Sequence, residues 1–179
     1  MGKIIFVLGG ARSGKSRYAQ DLVQTNGGCA LFVATATAGD DEMQARIAAH
    51  QASRPRHWRT LEVVRHVGNA IATADAAEWV ILDCMTLLCS NILMDFPEPV
   101  DADLYSAELD QEVVEILVAY EKSAAEWLIV SNEVGLGLVP PYPLGRTYRD
   151  GIGKANQQLA RAADVVLLMV AGIPMCVKG

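Results

Sequence analysis

Gly9-Gly10-Ala11-Arg12-Ser13-Gly14-Lys15-Ser16 follows the apolar run Ile4-Ile5-Phe6-Val7-Leu8 and leads into Arg17-Tyr18-Ala19-Gln20-Asp21-Leu22-Val23, a stretch suited to a helix. The spacing is G-x-x-x-x-G-K-S, set between a strand and a helix as a phosphate-binding loop requires; a chance match in a glycine-rich turn would lack that setting. The glycines let the loop curl so that successive backbone N–H groups face one anion. Lys15 brings a positive charge to the β- and γ-phosphates, Ser16 a hydroxyl for Mg²⁺, and the helix N-terminus its positive dipole end. The expectation is a binder of nucleoside triphosphates.

Outward from the loop, apolar runs alternate with helical stretches. Strands are predicted at Lys3–Leu8, Ala30–Ala34, Trp58–Val63, Trp79–Leu82, Trp127–Ser131 and Val165–Val170. Helices are predicted at Lys15–Thr25, Asp41–Ser53, Val64–Asp75, Met85–Met94, Ser106–Ser123 and Tyr148–Ala163. Short, near-continuous apolar strands separated by helices describe a doubly wound α/β domain: a mostly parallel sheet with helices on both faces. The mixed stretch Trp58–Val63 reads as an edge strand. At 179 residues, with no internal repeat, the chain is expected to form one domain over 1–179.

Composition narrows the partners. Hydrophobic residues make up 51 % of the chain, which excludes intrinsic disorder, and the net charge of −6 argues against a nucleic-acid partner. No apolar run reaches the roughly 18 residues of a membrane helix, so no membrane insertion is expected. Met1-Gly2-Lys3 runs straight into the first strand, leaving no room for a cleavable signal, and a cytoplasmic protein is expected. Cys29, Cys84, Cys89 and Cys176 form no C-x-x-C pair and no zinc spacing, as in a reduced compartment.

Two stretches break the alternation. Phe96–Asp103 is acidic, carries two prolines and reads as a loop. Gly135–Gly145 is longer, apolar and rich in glycine and proline. It is either a substrate lid or subunit contact, or a covered connector.

Beyond the loop, two groups of residues carry chemistry. Arg46, His50 and Arg54 recur at i, i+4 and i+8 in the helix after Asp41, so they would share a face. Two guanidiniums beside an imidazole favour its neutral, nucleophilic form and cradle phosphate, and such a ring attacking an α-phosphorus gives a nucleotidyl-histidine. The same pattern also describes an ordinary solvated basic face. His57 and His66 lack such surroundings. The second group is acidic. Asp83 ends the run Trp79–Leu82, and Glu133 follows Trp127–Ser131, where ligands of wound sheets gather. Asp83 is the candidate for Mg²⁺ and Glu133 for orienting an attacking hydroxyl, with helix capping as the alternative for each. Glu62 leaves the strand Trp58–Val63 as a weaker candidate.

Nearly end to end, the chain resembles the bifunctional adenosylcobinamide kinase / adenosylcobinamide-phosphate guanylyltransferase family of cobalamin biosynthesis. The resemblance lies in Gly9–Ser16; Ala34-Thr35-Ala36; Asp41-Glu42-Met43 with Arg46-Ile47 and His50; Arg54-Pro55; and His57-Trp58-Arg59-Thr60. It continues in Ser131-Asn132-Glu133-Val134-Gly135, Gly137, Val139-Pro140, Asn156-Gln157 and Leu159-Ala160. It implies a P-loop NTPase with a RecA-like sheet, working on GTP, ATP, adenosylcobinamide and its phosphate as a homo-oligomer, a trimer, with sites near subunit boundaries. The family's GMP-accepting histidine falls on His50. Its nucleotide-contacting segments fall on Gly9, Gly10, Ala11, Arg12, Ser13, Gly14, Lys15 and Ser16 and on Ala34, Thr35 and Ala36. Its guanine-nucleotide contacts fall on Gln51, Ala52, Ser53, Arg54, Glu62 and Asp83. Two positions depart from some members: Ala49 precedes His50 where they carry a histidine pair, and Asp83 stands where they have glutamate.

The function expected is thus two reactions: γ-phosphate transfer to the aminopropanol hydroxyl, with Lys15, Ser16, Asp83 and Mg²⁺, and GMP transfer from GTP through His50. The rivals are a plain P-loop kinase of a small alcohol with His50 inert, and a RecA-like nucleotide-switched binding module.

Overall fold

A computed structural model describes residues 2–37, 41–52 and 54–179, with the backbone alone at 41–43 and 46. In chain order the elements are β1 (Ile4–Gly9), α1 (Lys15–Thr25), β2 (Ala30–Ala34), α2 (Asp41–Ala52), β3 (Arg59–Glu62), α3 (Val67–Thr73) and β4 (Trp79–Asp83). They continue with α4 (Met85–Met94), α5 (Ala102–Glu121), β5 (Glu126–Val130), α6 (Pro143–Ala162), β6 (Val165–Val170) and β7 (Ile173–Lys178). The strands form one sheet in the order β3-β2-β4-β5-β1-β6-β7. Every pairing is parallel except β6 with β7.

The alternation of side chains across the pleat fills two cores. Phe6, Leu31, Val33, Leu82, Trp127 and Ile129 face the layer made by α3, α4, α5 and α6. Val7, Phe32, Ile81, Leu128 and Val130 face Ala19 and Val23 of α1. Parallel strands place all their carboxyl ends along one edge, and that edge carries Gly9, Ala34, Glu62, Asp83 and the residues after Val130.

The elements differ from the sequence reading in four places. The long helix α5 begins at Ala102, inside the stretch read as loop, because the Asp101 carboxylate caps it by accepting from Asp103 N and Leu104 N. The last helix, α6, begins at Pro143 rather than Tyr148: proline suits the first turn of a helix, and close packing accounts for Gly145 and Gly151 beyond it. A Cβ on Gly151 would stand 2.5 Å from Tyr105 Cε1 and 2.8 Å from Leu109 Cδ1, so the absence of a side chain there lets α6 lie close on α5. The helix α3 is shorter than expected; its first N–H, that of Val67, and the N–H of His66 before it are met by the buried Glu112 of α5, at 2.6 Å and 2.9 Å. Finally, β7 lies in a tail that the alternation left unassigned. It turns back from β6 through Ala171 and Gly172, both at positive φ, and Pro174 is admitted because β7 is an edge strand.

Candidate active site

The phosphate-binding loop spans the gap between β1 and α1. Gly14 sits in the left-handed region at φ 94° as N-cap of α1, a conformation costly for any side chain, and Tyr18 N donates to its carbonyl at 2.9 Å. Lys15 is 6 % exposed; its Nζ donates to the Gly10 carbonyl at 2.6 Å and reaches Ser13 Oγ at 3.4 Å. Burial lowers the pKa of this ammonium from its ordinary value, and the neighbouring Cys84 and Asp83 oppose that. The hairpin of β6 and β7 braces the loop from outside: Gly172 N donates to the Ser13 carbonyl at 3.0 Å.

Asp83, the last residue of β4, is where the sequence candidates converge. Ser16, His50, Arg54 and Lys15 all lie within electrostatic reach of its carboxylate. Burial pushes the Asp83 carboxyl above its ordinary value; the Ser16 hydroxyl and the basic side chains of His50, Arg54 and Lys15 pull it back. The neighbouring Cys84 thiol is pushed up to about 11, first by burial and then by Asp83. It therefore stays a neutral thiol at physiological pH and offers no rival nucleophile.

Thr35, fully buried after β2, holds this corner together. Its Oγ1 donates to the Cys84 carbonyl at 2.7 Å and accepts from Cys84 N at 2.9 Å, and its N–H reaches the Asp83 carbonyl at 3.3 Å. The Thr35 hydroxyl is thus spent inside the fold. Asn91 Nδ2 donates to the Thr35 carbonyl at 2.9 Å.

Around Glu62 a second cluster forms. Gln51 Nε2 donates to Glu62 Oε1 at 2.8 Å. The Arg54 guanidinium lies 3.7 Å from the centroid of Phe32 and donates through Nη1 to Thr60 Oγ1 at 3.2 Å. Burial lowers its pKa, against the carboxylates of Asp83 and Glu62. Among the described residues its Nε finds no hydrogen-bond partner. Here the structure corrects the helix-face reading. The helix α2 ends at Ala52, so Arg54 is not on it and does not stack in line with His50. Pro55 is the physical reason, since the residue before a proline is driven out of the helical region. Arg46 remains on the α2 backbone one turn before His50; its side chain, and Ser53 altogether, lie outside the described residues.

Glu133 comes to the P-loop by its backbone, with its N–H donating to the Gly9 carbonyl at 3.1 Å. Its carboxylate accepts from Gly135 N at 2.6 Å, so it turns the following loop. The sequence reading did not assign the polar support behind it. Ser131 Oγ donates to Asn156 Oδ1 at 2.7 Å, Asn156 Nδ2 to the Asn132 carbonyl at 3.1 Å, and Asn132 N to Thr86 Oγ1 at 2.9 Å. Both Ser131-Asn132 and Asn156 lie in segments that carry the family resemblance, but their joining into one buried network is not something a sequence displays.

Comparison with known proteins places this arrangement. The family model of cobinamide kinase / cobinamide phosphate guanyltransferase, CobU, matches residues 5–177. The chain belongs to the CobU family. It is 42 % identical over 182 residues to the bifunctional adenosylcobalamin biosynthesis protein CobU of Salmonella typhimurium, covering 98 % of this chain and 99 % of that one. It is 40 % identical over 181 residues to CobU of Escherichia coli, with the same coverage. Among solved structures it resembles the RadB recombinase (TM-score 0.54, 15 % identity, 93 % of this chain and 74 % of that one). It also resembles a type III secretion ATPase (TM-score 0.59, 12 % identity, 94 % of this chain and 52 % of that one). Those two likenesses confirm the P-loop NTPase fold. As a CobU-family protein, the chain is a bifunctional enzyme of cobalamin biosynthesis: it phosphorylates adenosylcobinamide and then transfers GMP from GTP to the product. No helix among the described residues is long and apolar enough to cross a membrane.

Proposed function

We propose that both CobU reactions run at the one P-loop, with His50 as the nucleophile of the second. What supports this is that Ser16 and Lys15 from the loop and His50 from α2 all lie within electrostatic reach of Asp83. In the first reaction the aminopropanol hydroxyl attacks the γ-phosphorus, loses its proton, and displaces the nucleoside diphosphate; Lys15 and the loop N–H groups offset the charge that builds on the phosphoryl oxygens. In the second, an imidazole nitrogen of His50 attacks the α-phosphorus of GTP and pyrophosphate leaves. The phosphate of adenosylcobinamide phosphate then attacks the guanylyl phosphorus, the P–N bond breaks, and His50 is regenerated.

The remaining loop residues, Gly9 to Ser16, with Ala34 to Ala36, are proposed to line the nucleotide, and Gln51 to Arg54 with Glu62 and Asp83 its guanosine end. Glu133 and Arg46 are proposed to orient substrate. Ser16 and Asp83 fit Mg²⁺ by chemistry, since a hydroxyl and a carboxylate that lie near one another are both hard oxygen donors. The ion held there would screen the β- and γ-oxygens. We further propose one P-loop domain over 1–179, a cytoplasmic location beside its nucleotide substrates, and a homo-oligomer, a trimer by resemblance. Val170, Ile173, Met175 and Val177 on the β6–β7 edge are all half or more exposed, and a second copy would cover them.

Incubation with α-labelled GTP and a denaturing gel tests the reading. Label that is acid-labile, base-stable and lost in His50→Ala is expected. Intact γ-phosphate transfer without any label would reduce the chain to a plain kinase.

A further inference from the structure

The nucleotide end of the site leaves the second substrate without a seat, and the loop 134–142 has the character to provide one. Leu136 is 84 % exposed, Leu138 96 %, Val139 63 % and Tyr142 60 %. Large apolar side chains so open to water, and so close together in the chain, form a patch that an interaction ordinarily covers. This stretch is nonetheless tied down at both ends. Glu133 N bonds the Gly9 carbonyl of the P-loop and Gly135 N bonds Glu133 Oε1. At the far end Arg146 Nη1 donates to the carbonyls of Pro140 at 3.0 Å and Pro141 at 2.8 Å. Two consecutive prolines stiffen it further. It is a shelf that starts at the phosphate-binding loop.

None of residues 134–142 is charged, which suits a neutral apolar face and not a polyanionic nucleotide. Behind the shelf the first turns of α5 and α6 enclose a cleft of about 320 Å³, lined by Tyr105, Ser106, Arg146, Thr147, Asp150 and Lys154. Arg146 belongs to both cleft and shelf. Apolar shelf and polar cleft together match a ligand with an apolar, methyl-bearing ring face and an amide-bearing rim, which is the chemistry of a corrin.

We propose that this shelf and cleft seat the corrin ring of cobinamide, so that its aminopropanol arm reaches back along residues 133–135 to the P-loop. The proposal rests on the CobU reading above. The ring covers Leu136, Leu138 and Tyr142, and the cleft's donors and acceptors take the peripheral amides. A second copy of the chain is the competing occupant, and the β6–β7 edge offers that copy a separate apolar surface.

Leu136→Ser/Leu138→Ser and Tyr142→Ser test it, because side chains this exposed can be changed without touching the core. Three readouts are needed: KM values of the kinase step, label from α-labelled GTP, and sedimentation velocity. The expected result is a KM for adenosylcobinamide raised about tenfold or more through lost apolar cover. The KM for the triphosphate should stay within about twofold, labelling, which uses no corrinoid, should continue, and the sedimentation coefficient should match that of the unaltered protein. An unchanged corrinoid KM overturns the proposal. So does a fall in sedimentation coefficient with every activity lowered together, which assigns the shelf to a copy. Failure of the unaltered protein to phosphorylate cobinamide at all would overturn the functional reading itself, and the shelf with it.

Discussion

Lys15 and His50 both lie within electrostatic reach of Asp83, but they stand on different supports. Lys15 heads α1, which buries Ala19, Gln20 and Val23 and packs on β1, β4 and β5, and Lys15 is itself nearly inaccessible. His50 is near the end of α2, where Gln44, Ala45, Ala48, Ala49, Gln51 and Ala52 are exposed as His50 is, and Ile47 alone among the described side chains is half-buried. The first half of the site is part of the core; the second is laid on the surface and fastened near its end by Gln51 to Glu62 and, beyond the helix, by Arg54 on Phe32. Phosphoryl transfer needs a rigid cradle of charge, and a packed loop provides it. A covalent nucleophile needs room for GTP to enter and for a second substrate to collect the nucleotide, and an exposed helix leaves that room.

Removing the central charge should break both halves at once. Lys15→Ala is expected to lower γ-phosphate transfer and guanylylation by about a thousandfold or more, the scale of losing a fixed group that stabilises transition-state charge. Full labelling from α-labelled GTP in this variant would mean a second nucleotide site.

His50→Ala separates the halves. Label from α-labelled GTP should vanish while the kinase rate stays within about tenfold, because positioning and charge suffice for that step. Being an exposed position, it should change the unfolding free energy from urea denaturation by no more than about 0.5 kcal/mol. His50→Asn should behave alike, as an amide has no nucleophilic ring nitrogen. Persistent labelling would move the assignment to another side chain.

Thr35→Val probes the built-in half through its stability. The shape is kept, but the Cys84 N–H and carbonyl lose their hydroxyl partner, and equilibrium denaturation should record about 1–3 kcal/mol of lost stability. Gln51→Ala is the matching change on the surface half. Stability should stay within about 0.5 kcal/mol, while the KM for GTP in guanylylation rises about two- to fivefold as Glu62 loses its partner. Equal stability losses in the two variants would dissolve the contrast between the halves.

Much of this was legible one residue at a time. The glycines, Lys15 and Ser16 act through the backbone of one short loop, so their meaning travels with their spacing. Apolar runs at β2, β4 and β5 declare buried parallel strands, and Asp83 follows such a run directly. Asp101 before Ala102 is also a local signal, a helix cap hidden by the two prolines upstream of it. His50 was identified as a candidate by its neighbours in sequence, although one of them, Arg54, turned out to lie off the helix for the local reason of Pro55.

What belonged to the chain alone was therefore short-range: the phosphate-binding loop, the alternation of strand and helix, and the residue types able to hold phosphate or attack it. These depend on spacing, dihedral preference and side-chain chemistry, which neighbours in sequence settle among themselves. The tertiary structure decided the rest. It set the strand order, which brings Asp83 of β4 between β2 and β5. It spent the Thr35 hydroxyl on Cys84, brought Glu112 across to the start of α3, laid Arg54 on Phe32, folded β7 back so that its turn braces Ser13, and left the leucines of 134–142 bare. Apart from those bare leucines, each of these is a contact between residues far apart in the chain, and its energy exists only once burial and register have brought the partners together.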